Sequence, residues 1–271
     1  MSRAPATSAP VPSWLSTLAE ALPSVRPEHL SRFLPPATGG RHSAVLVLFG
    51  DGSDGPDVLL IERAATLRSH AGQPAFPGGA LDPGDGRVED GGAVRAALRE
   101  AQEEVGLDPA TVDVLGVLPA LWLPPSGFVV HPVVALWRAP HDVHPVDAAE
   151  VAAVVRAPLA ELVDPANRLQ VTHPSGLIGP AFEVGDLLVW GFTAGLLSRL
   201  LELGGWAVAW DSSRHRPLDQ ETLELALRSS PARRSSADAA ADAAVDAAVD
   251  AAVDAAGDAA GDVDAGATGA G

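Results

Sequence analysis

The sequence predicts an α/β fold, a mixed β-sheet sandwiched between helices. Three observations carry that expectation. Short apolar runs suit strands, longer stretches show helical periodicity, and their order lacks the strict alternation of a doubly wound parallel sheet. Residues 12–34 hold two short helical patterns, each opened by a proline, and read as an N-terminal helical arm within residues 1–40. After Pro35-Pro36 and Gly39-Gly40, runs at 43–49 and 57–62 flank a turn-rich GDGSDGP and predict a hairpin. A Gly-rich loop over 77–92 leads into a helix over about 93–105, stopped by Gly106. Strands are expected at 112–118, 129–137, 150–156 and 177–182, a short helix at 158–163 and a buried helix at 188–203. One main domain over 41–212 results, followed by a linker and a low-complexity tail over 213–271.

Composition narrows the chemistry. The formal charge of the 271 residues is −17. Eight aspartates against Arg233 and Arg234 put −6 on residues 229–271 and leave −11 on residues 1–228. Neither part attracts a polyanion over its whole surface, so no nucleic-acid partner is expected. The absence of Cys excludes a disulfide scaffold, a Cys-ligated zinc site and a thiol nucleophile. No run reaches the ~18 apolar residues of a membrane span, and a cytoplasmic protein with no membrane partner is the expectation. In the tail, Asp recurs every four residues, which rotates the charged stripe by about 40° per repeat and leaves no lasting apolar face. That tail reads as a disordered or fraying appendage.

The chemistry concentrates in FPGGALDPGDGRVEDGGAVRAALREAQEEVGL, residues 76–107. Glu100, Glu103 and Glu104 are spaced i, i+3, i+4, which places three carboxylates within about 100° of one helix face. Like charges so placed repel unless water or cations neutralise them. Mg²⁺ and Mn²⁺, hard ions that prefer carboxylate oxygens, would do so. A merely solvated Glu-rich face is the competing reading of REAQEE taken alone.

With Gly78-Gly79 upstream, Arg99 beside the first Glu and Gly106-Leu107 closing the helix, the segment resembles the Nudix box. That pattern runs Gly, five residues, Glu, seven residues, then R-E-U-x-E-E-x-G-U, with U apolar. The second half matches at every position from Arg99 to Leu107. The first half departs from it: counted from Gly79 the acidic position is Asp85, which leaves Arg99 too far along, while Asp90 stands nearly the right distance from Arg99. The segment DPGDGRVEDGG reads as a loop expanded by about five residues, which surface loops tolerate at small entropic cost. Either Asp85 or Asp90 then fills the family's structural acidic role.

The resemblance implies the Nudix fold and metal-dependent hydrolysis of a nucleoside diphosphate linked to another group. It implies Mg²⁺ or Mn²⁺ held by Glu100, Glu103 and Glu104 with the backbone carbonyl of Gly79. Arg99 then orients a neighbouring Glu, and Gly106 is structural. Glu150, just before a strand-like run, is a candidate for a further metal ligand or the general base, with an exposed strand-edge Glu as the alternative. The choice of base among Glu100, Glu103 and Glu150 stays open.

Residues 59–79, LLIERAATLRSHAGQPAFPGG, resemble the signature that precedes the box in Nudix coenzyme A diphosphatases. Leu59, Leu60, Arg63, Arg68, Gly72, Phe76 and the Pro77-Gly78-Gly79 run match it, while Ile61 and Ala64 depart from it. Arg63, Arg68 and His70, with Gly78, are the substrate-binding candidates, because Arg offers a charged fork suited to phosphate oxygens. The implied reaction splits coenzyme A or acyl-CoA into 4′-phosphopantetheine and adenosine 3′,5′-bisphosphate. Beside it stand a Nudix hydrolase for ADP-ribose, NADH or a nucleoside triphosphate, and a catalytically silent nucleotide-binding module. The partner expected is a small nucleotide, and dimerisation through the N-terminal arm is left open.

Overall fold

The computed structural model describes residues 10–31, 34–36, 39–64, 72–123, 127–173 and 176–218; Arg68, His70 and the acidic tail lie outside the described residues. The main sheet contains β1 (Arg41–Gly52), β2 (Gly55–Arg63), β3 (Pro74–Ala75), β4 (Gly78–Ala80), β5 (Val112–Val117), β6 (Leu121–Leu123), β7 (Phe128–Trp137) and β8 (Val151–Pro158). Its central order is β3-β2-β1-β7-β5, with β4 on β1, β6 on β7 and β8 on β2. Within this sheet β1 and β7 run parallel and the other described pairings antiparallel, so the sheet is mixed as expected.

Period-two burial assigns the two faces. Val47, Phe49, Val58, Leu60, Val134 and Leu136 point to one core, while the intervening Leu46, Leu48, Leu59, Ile61, Val133 and Ala135 point to another. The second core is closed by α2 (Gly92–Val105), the helix anticipated over about 93–105. The first core is closed by α1 (Ser13–Ala21), α3 (Leu159–Val163) and α4 (Gly191–Leu203). Strand β7 is covered on both faces and is buried along its whole length.

The N-terminal arm packs onto the main domain: Leu15 and Leu18 are fully buried in the same core as Leu196, Leu197 and Leu200 of α4. Two expectations change. Among the described residues, the second helical pattern of residues 12–34 shows 3₁₀ turns at Leu22–Ser24 and Pro27–His29, and Pro23, just past the end of α1, supplies no N–H to continue that ladder. The helix expected over 188–203 starts only at Gly191. Leu187–Val189 forms β11, which pairs with β10 (Ile178–Val184) in a second sheet ordered β11-β10-β9-β12 with β9 (Arg168–Thr172) and β12 (His215–Pro217). Apolarity alone does not separate a fully buried strand from the start of a buried helix. Among the described residues no helix is long and apolar enough to cross a membrane.

The α2 face of the sheet also holds a polar pair. His42 of β1 and His131 of β7 approach to 2.9 Å between Nδ1 and Nε2, with rings stacked at a centroid distance of 5.2 Å. Burial, reinforced by His42, pushes the His131 imidazole down to about 4 from an ordinary 6.5. The unfolded chain therefore binds that proton first. The stability conferred by neutral His131 is whole above about pH 6.5 and is lost as the pH falls toward 4.

Two outcomes are expected from urea unfolding. Leu18→Ala lowers the unfolding free energy of the whole domain by about 2–5 kcal/mol in a single transition, whereas a detached arm would leave the main transition where it is. Between pH 7 and pH 5 the wild type loses about 1–2 kcal/mol more than His131→Gln; equal losses would remove His131 as the titrating group.

Candidate active site

The sheet is forked where the site forms. The β1–β2 hairpin pairs from Gly52↔Gly55 only as far as Phe49↔Val58. Beyond that point the two strands part, and the chain from Pro74 to Ala80 enters the gap. Pro74 and Ala75 pair with β2, the Pro77 carbonyl accepts the Leu46 N–H at 2.8 Å, and Gly78 to Ala80 pair with Val45 to Ser43 of β1. A Cβ on Gly78 would strike the carbonyl oxygen of Ala44, and one on Gly79 would lie 2.5 Å from the Glu100 carboxyl carbon. The glycine pair is thus the place where backbone, sheet and helix carboxylates meet.

Helix α2 reaches that spot because its buried stripe is made of small residues, Ala93, Ala96, Ala97 and Ala101, which let the helix lie close to the sheet. Glu104 falls in the middle of this stripe by helical phase, about 20° from Ala97 and Ala93. Its side chain is 8% exposed, and Oε2 accepts the Gly78 N–H at 3.0 Å. Glu100 is half-buried and Glu103 is exposed. The three carboxylates expected on one face therefore span the border between core and solvent. Gly106, at φ 70°, ends the helix in the left-handed conformation and turns the chain so that Leu107 is buried against α2.

Arg99 organises the upstream loop. Its guanidinium donates to both carboxylate oxygens of Asp85, at 3.2 and 2.9 Å, to the Ala80 carbonyl at 3.1 Å, to Glu100 Oε1 at 2.8 Å and to Glu103 Oε2 at 3.1 Å. Asp85 is buried and also accepts the Asp82 N–H at 2.8 Å. The bond from Arg99 holds its carboxyl below the usual range despite the burial. Asp90 is exposed and meets Arg95 through its carbonyl instead. Of the two aspartates left open by the sequence, Asp85 is the one against Arg99.

The electrostatics at the fork are unbalanced. Burial pushes Glu104 up to about 8, opposed by Arg63 and the Gly78 N–H and reinforced by Glu100 and Glu150. Glu100 is raised as well, first by burial, with Arg99 opposing and Glu103 and Asp82 adding to the rise. Glu150 is exposed, but its carbonyl accepts the Ala64 N–H at 2.9 Å, next to Arg63 at the end of β2. Arg63 Nη1 stands 3.9 Å from Glu104 Oε1, and the buried Arg63 Nε has no hydrogen-bond partner among the described residues. As the side chains stand, no three His, Asp or Glu groups among the described residues converge on one point. Glu104 leans on Gly78, while Glu100 and Glu103 lean on Arg99. The donors are nonetheless all hard oxygens, and their charge exceeds what Arg63 and Arg99 supply. A divalent cation fits that deficit.

The sequence reading grouped the three Glu but missed that Glu104 sits within the core stripe. The signal was present, since a Glu between Ala93 and Ala97 in helical phase is a carboxylate that periodicity places inside. Phe76, expected in the core, is buried there.

The sequence model of the NUDIX domain matches residues 40–175. A protein of Cronobacter sakazakii named "Uncharacterized Nudix hydrolase NudL" is 46% identical over 159 residues, which span 55% of this chain and 76% of the relative. A protein of the same name from Citrobacter koseri is 42% identical over 158 residues, with the same shares covered. Among solved structures, a NUDIX hydrolase from Alicyclobacillus acidocaldarius is 22% identical, with a TM-score of 0.42 over 62% of this chain and 93% of that one. The chain belongs to the Nudix hydrolase family, enzymes that hydrolyse pyrophosphate bonds of nucleoside diphosphate derivatives.

Proposed function

We propose that the substrate is coenzyme A or an acyl-CoA, split by water at its diphosphate into 4′-phosphopantetheine and adenosine 3′,5′-bisphosphate. The observation that carries the catalytic part is that two helix carboxylates reach the Gly78-Gly79 fork, Glu104 accepting the Gly78 N–H and Glu100 lying against the Cα of Gly79. The coenzyme A part rests on the resemblance of residues 59–79 to coenzyme A diphosphatases, a segment that ends in this same fork.

Mg²⁺ or Mn²⁺, held by Glu100, Glu103 and Glu104 with the Gly79 carbonyl and Glu150 in reach, would mask phosphate charge and lower the pKa of the attacking water. The chain's own groups prepare for this. Gly78 fixes one oxygen of Glu104 through its N–H, Arg99 fixes one oxygen of Glu100, and Asp85 holds Arg99 from the loop side. The partly exposed guanidinium of Arg63, 3.9 Å from Glu104, supplies positive charge for a phosphate oxygen beside those carboxylates. Arg68 and His70 join it in the substrate-binding assignment. Glu100, Glu103 and Glu150 are the candidates for general base.

The direct test is mass analysis of products from coenzyme A, acyl-CoA, ADP-ribose, NADH and a nucleoside triphosphate, each incubated with Mg²⁺ and with Mn²⁺. Cleavage of coenzyme A to the two named products is expected, and coenzyme A left intact beside a cleaved ADP-ribose would overturn the substrate assignment. Glu104→Gln keeps an acceptor for Gly78 and relieves a buried charge, so it should melt no lower than wild type while turnover drops by about 10²-fold or more. Gly79→Ala meets only the mobile end of Glu100, so it should cost about tenfold in turnover with little change in melting. Gly78→Ala meets the Ala44 backbone and should destabilise the fold itself; equal effects of the two alanines on melting would contradict the geometry.

A further inference from the structure

We propose that Arg95 is a positioning residue for the hydrolysis, locking the long loop between Asp85 and α2 so that Asp85 stays on Arg99 and Arg99 on Glu100. The inference rests on the catalytic assignment of Glu100 made above. Where the Nudix pattern has seven residues between its acidic position and its Arg, this chain has residues 86–98 between Asp85 and Arg99. A longer loop has more conformations to lose, and its Gly86, Gly91 and Gly92 add to that freedom. Something must hold it if Asp85 is to serve Arg99.

Arg95 lies one helical turn before Arg99, so both point from the same side of α2. Its Nε donates to the Asp85 carbonyl at 2.7 Å and its Nη2 to the Asp90 carbonyl at 2.8 Å. One planar guanidinium thus spans the segment from end to end. Between those ends the loop makes a 3₁₀ turn at Val88–Asp90 and enters the helix through Gly91 at φ 83°, whose carbonyl accepts the Arg95 N–H at 3.2 Å. Gly92 then packs so closely under the loop that a Cβ there would lie 2.6 Å from the carbonyl oxygens of both Gly86 and Arg87. The loop's own ion pair, Arg87 with Glu89, is exposed on both sides and adds little.

Asp85 is consequently held twice, by Arg99 at its carboxylate and by Arg95 at its carbonyl. Releasing the carbonyl frees the loop, and Asp85 then leaves Arg99 for part of the time. Arg99, no longer braced by Asp85, then loses its fixed position, and with it goes the hold of its Nη1 on Glu100.

The test uses the full chain, Mn²⁺ and whichever substrate of the panel is cleaved fastest. It measures kcat, KM, melting and amide exchange over 82–91 for wild type, Arg95→Ala, Arg99→Ala, their double variant and Glu100→Gln. The expected result is that Arg95→Ala lowers kcat by about tenfold, leaves KM within about twofold, speeds exchange in the loop and adds no further loss in the Arg99→Ala background. An unchanged kcat in Arg95→Ala, losses that add in the double variant, or a kcat that merely follows the folded fraction would each overturn the proposal. If Glu100→Gln retains wild-type turnover, the catalytic assignment fails and takes this role with it. If Glu100→Gln is inactive while Arg95→Ala keeps the wild-type kcat, only the role of Arg95 falls.

Discussion

One guanidinium, that of Arg99, ties the catalytic helix to the loop before it. It satisfies two oxygens of buried Asp85, a main-chain carbonyl of β4 and one oxygen each of Glu100 and Glu103. An arginine suits this position because its planar fork offers five N–H groups in fixed directions, whereas a lysine would present a single flexible point charge. The same contact explains how a buried aspartate remains ionised while the neighbouring helix carboxylates are pushed toward neutrality. Asp85 has its cation in bidentate contact, whereas at Glu100 burial outweighs a single bond from the same cation.

The second constraint is spatial. Glu side chains are short, so their carboxylates meet the Gly78-Gly79 backbone only if α2 lies close to the sheet and nothing stands between them. The alanine stripe of α2 meets the first requirement and the two glycines the second. The fork in β1 and β2 brings those glycines to the middle of the sheet, where the Pro77 carbonyl and the paired β4 backbone are satisfied by β1. Backbone pairing, small core residues and the site are one arrangement, so a change in helix packing is also a change in carboxylate geometry.

Much of this was legible along the chain. The strands around 43–49, 57–62, 112–118 and 129–137 and the helix around 93–105 follow from period and from glycine, because each buries one face or both and ends at a residue that breaks its pattern. Less legible were the elements whose partners are distant. Leu187–Val189 reads as helix until β10 folds back on it, β4 reads as loop until β1 pairs with it, and residues 13–21 read as an arm until α4 covers Leu15 and Leu18. Each depends on a neighbour that local periodicity does not encode.

At the site the division is similar. The sequence alone determined which residue types are present and in what order: three Glu at helical spacing, an Arg beside the first, a glycine pair upstream and a glycine that ends the helix. Through their match to the Nudix box these residues carry the family, and with it the reaction class, hydrolysis of a pyrophosphate bond in a nucleoside diphosphate derivative. The tertiary structure decided that Asp85 rather than Asp90 faces Arg99, that Glu104 is the buried member of the trio, and that Arg95 bridges the two ends of the expanded loop. Those outcomes depend on distances across the fork and around the loop. Such distances are set by how closely helix and sheet pack, which residue spacing along one chain does not specify.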